Sequence, residues 1–167
     1  MDSPVGKVKL IANNNGLVAI LWESEDFSRV KLDIPSENKT HPTLLETEYQ
    51  LREYFDGKRK TFDIALDLRG TVFQKKVWTA LLSIPFGATK SYGTLAKQMG
   101  DPKTVRAVGG ALNKNPISII VPCHRVIGTS GQLTGFAGGP GNKAYLLNLE
   151  NTSKQPSLWG QVQSDEA

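Results

Sequence analysis

The chain has one cysteine, Cys123, and it stands beside one of only two histidines, in "VPCHRVIG" at residues 121–128. A thiol next to an imidazole becomes a nucleophile once its proton has somewhere to go, because the thiolate and not the thiol attacks. Arg125 follows directly, and an electropositive setting of this kind lowers a thiol pKa. The plainer reading stays open beside it. Free cysteine is among the most buried residue types, and one that ends the apolar run "ISIIV" (117–121) can be packing, with His124 as a hydrogen-bonded structural residue. A single cysteine excludes an intramolecular disulfide, and with His41 and His124 as the only imidazoles a zinc site of the usual four-ligand kind lacks its donors, so no metal is expected.

The charge around Cys123 is unevenly placed. The net charge is +4 over 167 residues, but residues 1–70 carry −2, residues 71–149 carry +8 and residues 150–167 carry −2. Asp101 is the only acidic residue in the middle block. Such a block is the footprint of a phosphate-backbone binder, and equally of a solvated basic face. There is no apolar stretch of signal-peptide length at the N-terminus and no uncharged apolar run long enough to span a bilayer, so a cytoplasmic protein without a membrane partner is expected.

The elements that must position these groups can be read from periodicity. Val8, Leu10 and Ala12 alternate with polar residues, "NNNG" (13–16) turns the chain and "LVAILW" (17–22) returns, which predicts a β-hairpin. A further strand is expected through Val30, Leu32 and Ile34, and an extended segment through Phe62, Ile64 and Leu66. Between them Pro42 opens a helix whose face is Leu44, Leu45, Leu51, Tyr54 and Phe55, stopped by Gly57. A domain boundary is placed at "RGT" (69–71), where charge and pattern both change. Thr71 and Gln74 then form a capping box for a helix buried through Phe73, Val77, Trp78, Leu81 and Leu82.

A helix–turn–helix signature follows, with "YGTLAKQMG" (92–100), a turn at "DPK" and "TVRAVGGALNKN" (104–115). The second helix has a buried stripe of Val105, Val108 and Leu112, and two adjacent glycines, Gly109 and Gly110, on its other side with Arg106, Asn113 and Lys114. Each glycine costs a helix interior about 0.5–1 kcal/mol relative to Ala. Two in a row imply close approach of something to the backbone: a tightly packed neighbouring helix, or a narrow nucleic-acid groove. A smooth face suits the minor groove better than the major. The glycine-rich "GTSGQLTGFAGG" (128–139) could wall a pocket at the thiol, and residues from about Thr152 read as a polar tail apart from Leu158 and Trp159.

Taken together, "PCHRV" (122–126), "RAVGGALNKNP", "SYGTLA", "GFAGG" and "LLNLE" resemble the O6-alkylguanine-DNA alkyltransferase family over residues 71–150, nearest to its stand-alone bacterial members. The resemblance implies an α+β fold: a small N-terminal antiparallel-sheet, ribonuclease H-like domain (1–69), a C-terminal helical, winged-helix-like DNA-binding domain (70–151) and a tail (152–167). It implies direct-reversal DNA repair, a single stoichiometric transfer of an alkyl group from O6-alkylguanine or O4-alkylthymine to Cys123, with no cofactor. The partner would be double-stranded DNA, held through its minor groove with the alkylated base flipped out, by a protein monomeric in solution; cooperativity on DNA is left open.

The same resemblance assigns residues. Cys123 would accept the alkyl group, His124 would deprotonate it through a water, and Glu150 would hold and polarise His124. Tyr92 would crowd a phosphate and donate a proton to the departing guanine. Arg106 would occupy the vacated stack, with Thr104, Ala107, Gly109, Gly110 and Lys114 along the DNA, and Asn115 would be the hinge between that helix and the cysteine turn. Val126, Phe136, Ala137 and Lys143 would line the lesion pocket, with the carbonyls of Cys123 and Val126 facing the guanine amine and Lys143 either assisting at the base edge or only anchoring the helix "KAYLLNLE". Arg125 reads as a salt-bridge partner and not a lesion ligand. Phe136 and Ala137 stand where some relatives carry Tyr and Ser, and the zinc ligands of some relatives are absent. Two other classes share part of the pattern. A non-catalytic DNA-binding protein would not need Cys123, and a cysteine hydrolase would not need the basic block.

Overall fold

The computed structural model describes residues 1–23, 38–128 and 136–154. The expected strand through Val30, Leu32 and Ile34 lies outside them, as do most of the glycine-rich segment and the chain beyond Lys154. The fold is two-part α+β. A hairpin and a helix form the N-terminal part, and helices carry the C-terminal part.

Strand β1 (Val8–Asn13) pairs antiparallel with β2 (Gly16–Trp22), from Val8 opposite Trp22 to Asn13 opposite Gly16, with a bulge between Ile11 and Ala12. All seven residues of β2 are buried, in keeping with its unbroken apolar run. Gly16 is required at the turn, where a Cβ would stand 2.5 Å from the Ala65 carbonyl oxygen. The segment through Phe62, Ile64 and Leu66 does not form a full strand. It meets β2 in one parallel bridge, Leu17 to Leu66, closed by the Leu17 and Asp67 amides.

Helix α1 (Pro42–Phe55) is capped by His41, whose Nδ1 accepts from the Thr43 amide, and ends at Gly57 with φ 76°. Helix α2 (Val72–Leu81) has the predicted capping box between Thr71 and Gln74. A two-residue strand, β3 (Lys90–Ser91), leads into α3 (Tyr92–Gln98), and a 3-10 turn over Pro102–Thr104 leads into α4 (Val105–Asn113). Strand β4 (Val126–Ile127) lies parallel to β3, and α5 (Pro140–Lys154) closes the described chain. Helix α5 continues past Thr152, where the tail was expected to begin.

Three residues expected in the core are not there. Leu45, Leu82 and Val105 are 52%, 45% and 39% exposed. Each lies in the terminal turn or cap of its helix. Periodicity gives the direction of a side chain about the axis, but not whether a neighbouring element extends that far. Elsewhere on the same helices Leu51, Tyr54, Leu81, Val108 and Leu112 are buried as expected, joined by Ala111, and all but Ala19, Ile11, Val18 and Leu21 of the buried apolar residues belong to one continuous core. No helix of the described residues is long and apolar enough to cross a membrane.

Candidate functional site

The run "ISIIV" before Cys123 is not a strand. Residues 117–121 fold as successive tight turns, with hydrogen bonds from the Ile120 amide to Ser118, Val121 to Ile117 and Cys123 to Val121. Ile119 lies at φ 77°, a left-handed conformation that a β-branched residue rarely adopts, and is held there fully packed. Asn115 secures this turn from the end of α4, its amide donating to the Val121 carbonyl at 2.9 Å and its oxygen accepting from Ile117 N–H at 3.0 Å. The hinge position is thus a hydrogen-bonded tie between α4 and the cysteine turn.

The turn is also fastened to the N-terminal part. The Ile20 amide donates to the Pro116 carbonyl at 2.8 Å, Ile20 bridges Ile117, and the Trp22 indole donates to Ser118 Oγ at 3.1 Å. Trp22 meets the ring of Phe136 edge-on at 5.4 Å, and a Cβ on Gly138 would stand 2.7 Å from the Trp22 ring. Phe136 is therefore backed by the hairpin, and Ala137 beside it is likewise half-buried.

Cys123, His124 and Arg125 form one turn of 3-10 helix between these ties and β4. Cys123 is 7% exposed, and His124 and Glu150 are sealed from solvent. His124 Nε2 lies 2.7 Å from Glu150 Oε2. Arg125 embraces the same carboxylate, Nε to Oε1 at 2.8 Å and Nη2 to Oε2 at 2.9 Å, and donates its remaining arm to the Ile84 carbonyl at 2.7 Å. Arg125 is a structural salt-bridge partner. Two further donors reach Glu150 from elsewhere: the Tyr54 hydroxyl of α1, 2.7 Å from Oε2, and the Gly87 amide, 3.4 Å from Oε1.

These contacts set the protonation states. Burial alone would raise the Glu150 carboxyl, but the hydrogen bonds and charges of His124 and Arg125 outweigh it and hold the pKa down at about 2. Burial lowers His124 below its ordinary value despite the opposing pull of Glu150, and the Arg125 and Lys143 charges add to the lowering. At neutral pH an ionised carboxylate can only accept, so His124 Nε2 must carry the proton it shares with Glu150. The imidazole is neutral and its lone pair is on Nδ1, a buried atom without a hydrogen-bond partner among the described residues. That nitrogen is a proton acceptor in waiting.

Lys143, 1% exposed, donates to the Val126 carbonyl at 2.6 Å and lies 6.0 Å from the Tyr92 ring centroid. Burial lowers its pKa, with the neighbouring Cys123 acting in the opposite direction. The Val126 and Cys123 carbonyls each already accept one hydrogen bond, from Lys143 and from the Val126 amide, and a carbonyl oxygen has room for a second. The pairing of β3 with β4 carries Tyr92, the first residue of α3, to this place. The structure therefore brings Cys123, His124, Glu150, Tyr92, Val126 and Lys143 together.

The remaining predicted residues make a separate outward face. Arg106, Ala107, Gly110 and Lys114 are exposed, and Thr104 and Gly109 half-buried. A Cβ built on Gly109 or Gly110 meets nothing within 4 Å outside the helix itself, so no neighbour among the described residues explains them. Among the described helices none packs against the two glycines. Val105 adds an apolar edge to the same face.

Residues 72–152 match the family described as 6-O-methylguanine DNA methyltransferase, DNA binding domain, and residues 1–68 match its ribonuclease-like domain. The chain is 45% identical to the methylated-DNA–protein-cysteine methyltransferase of Methanosarcina acetivorans, over 90% of this chain and 96% of that one. Among solved structures, the O6-methylguanine methyltransferase of Mycobacterium tuberculosis aligns with a TM-score of 0.80 at 44% identity, covering 95% of this chain and 94% of the other. A structure of Mycobacterium tuberculosis OGT in complex with DNA aligns at 0.79, 44% identity and 92% and 91% coverage.

Proposed function

Since the chain belongs to the 6-O-methylguanine DNA methyltransferase family, we infer that it repairs alkylated DNA by direct reversal, with Cys123 as the alkyl acceptor. The activity is transfer of an alkyl group from O6-alkylguanine, or from O4-alkylthymine, in DNA to a cysteine of the protein itself. Each molecule acts once, because the thioether formed has no leaving path.

The observation that carries the assignment of Cys123 is the buried line from Glu150 through His124, whose neutral imidazole keeps a lone pair on Nδ1. In the reaction the Cys123 proton passes to Nδ1 through a water, and Glu150 stabilises the imidazolium that results. Sγ attacks the alkyl carbon, the S–C bond forms as the C–O bond breaks, and the electron pair leaves with the guanine. Tyr92 supplies the proton that the departing base takes up. Asn115 keeps the thiol turn in register with α4, and Val126, Phe136, Ala137 and Lys143 bound the lesion pocket.

A thiol only 7% exposed cannot reach a base that remains stacked, which supports extrusion of the lesion from the duplex. The bare glycine face of α4 suits close approach to the minor groove, with Arg106 as the long cationic side chain that enters the vacated stack. Thr104, Ala107 and Lys114 lie along the same approach. Contacts of this kind are mainly to phosphates and carry little sequence preference.

The decisive experiment is incubation with a duplex containing O6-methylguanine, followed by mass spectrometry of the Cys123 peptide. One methyl group on Cys123 and one equivalent of repaired guanine per protein are expected. A methyl group on another residue, or continued turnover, would refute the reading. A second measurement isolates Arg106. Arg106→Ala should slow reaction with the duplex lesion on the order of ten- to a hundredfold more than reaction with free O6-benzylguanine, which needs no flipping. Equal slowing on both substrates would put Arg106 in the pocket or in folding.

A further inference from the structure

We propose that Tyr54, on helix α1 of the N-terminal part, is a positioning residue for alkyl transfer, setting through its hydroxyl how strongly Glu150 draws on His124. The inference rests on the His124 relay proposed above and adds to it a group from the other part of the chain.

The geometry is specific. The Tyr54 hydroxyl and His124 Nε2 both lie 2.7 Å from the same carboxylate oxygen, Oε2, which also accepts from Arg125 Nη2 at 2.9 Å. Tyr54 is 1% exposed, its ring packed against Phe55, Phe62 and Phe86, so the hydroxyl has been carried into the core to make this bond. Packing alone would be served as well by Phe. Burial and the adjacent Glu150 charge raise the Tyr54 pKa, which keeps the phenol protonated and makes it a donor to Glu150. Among the described residues, Tyr54 from α1 and His124 and Arg125 from the cysteine turn face the carboxylate, Lys143 and Tyr145 from α5 act on His124 and on Tyr54, and the chain between α2 and β3 adds the Gly87 amide.

The sign of the effect follows. Donors to one oxygen share its negative charge, so each weakens the acceptor seen by the others. Tyr54 and Arg125 therefore temper the pull of Glu150 on the imidazole. Without the phenol, Oε2 binds Nε2–H more strongly, the imidazolium is favoured and His124 titrates at higher pH. A protonated Nδ1 cannot take the cysteine proton, so the acid limb of the transfer rate must move to higher pH as well.

The test compares wild type, Tyr54→Phe and a protein with a ring-difluorinated tyrosine at position 54, each on free O6-benzylguanine across pH. Rates are normalised to each protein's own plateau, and the His124 ring is titrated in parallel by NMR. At the wild-type half-maximal pH, Tyr54→Phe is expected to run about two- to fivefold slower. The fluorinated phenol, a stronger donor, should move both rate limb and His124 titration the opposite way. Coincident profiles and titrations in all three proteins, or a lower plateau with no displacement, would overturn the proposal and leave Tyr54 as packing. His124→Ala separates the two readings. Wild-type rate and profile in that variant would remove the relay, while the NMR titrations of wild type and the two Tyr54 proteins would still report whether Tyr54 acts on His124.

Discussion

Cys123→Ser is expected to abolish alkyl transfer while leaving affinity for duplex DNA within about twofold of wild type, because affinity resides in phosphate contacts made elsewhere. Serine matches the thiol in shape, so the 7% exposed position is refilled without a cavity. What changes is acidity. A neutral imidazole can take a proton from a thiol of ordinary pKa about 8.5, whereas an alcohol keeps its proton at any pH the protein tolerates. The surface proposed to meet DNA is on α4, where Arg106, Ala107, Gly110 and Lys114 are exposed and belong to another element. Mass spectrometry of the protein after incubation with lesion duplex, and a binding titration at fixed salt, read the two effects separately. Loss of binding equal to loss of transfer, in a folded variant, would place the DNA contacts at the thiol itself and contradict this division.

Glu150→Gln should have the largest effect on stability. The side chain that replaces the carboxylate leaves the buried Arg125 guanidinium without its counter-charge, and breaking one side of a buried pair costs about 3–5 kcal/mol. The depression of the Glu150 pKa from 4.5 to about 2 is of the same size, roughly 3 kcal/mol. Because the folded value is the lower one, this contribution is complete above the ordinary carboxyl pKa and is lost as pH falls through about 2. His124 acts in the same direction from higher pH. Its folded pKa is lowered, so below the ordinary value of 6.5 the unfolded chain takes up a proton that the buried ring refuses. Denaturant unfolding over a pH series should therefore show wild type losing stability on acidification, with the gap between wild type and Glu150→Gln closing as pH falls from 4.5 toward 2. A constant gap would mean that the carboxylate charge contributes nothing. Transfer to Cys123 should slow by about a hundredfold, the lower end of what a general base contributes, because His124 remains as the base but loses the charge that stabilises its imidazolium.

Some of this site is legible along the chain and some is not, and sequence separation decides which. Cys123 and His124 adjoin each other inside the basic block, and the glycine pair shares one helix with Arg106, so their pairing needs no knowledge of the fold. Glu150 is a helix-end carboxylate until α5 packs on the cysteine turn, and its role entered through family resemblance. Tyr54 lies 96 residues from Glu150, on a helix face whose period marks it as core, and nothing nearby signals that its hydroxyl has a partner. Ile119 was hidden for another reason. Its neighbours have the composition of a strand, and tertiary contacts override that preference to make the turn that delivers the thiol.

The ties between β2 and residues 116–118 distribute stiffness unevenly across the reacting half of the molecule. Leu17, Ile20 and Trp22 of β2 share one continuous core with Ile117, Ile119, Val121 and Cys123 of the thiol turn, so hydrogen exchange at these amides requires opening of that core as a whole. Helix α4 is divided lengthwise: Val108, Ala111 and Leu112 lie in that core, while Arg106, Ala107 and Gly110 are exposed and no described atom stands within 4 Å of a Cβ on Gly109 or Gly110, so its outward side can open locally while its inward side stays tied to the turn that holds Cys123. The compliant side is the one proposed to adapt to a duplex of any sequence, and the rigid core carries the sulfur proposed to attack, whose line of approach tolerates little error.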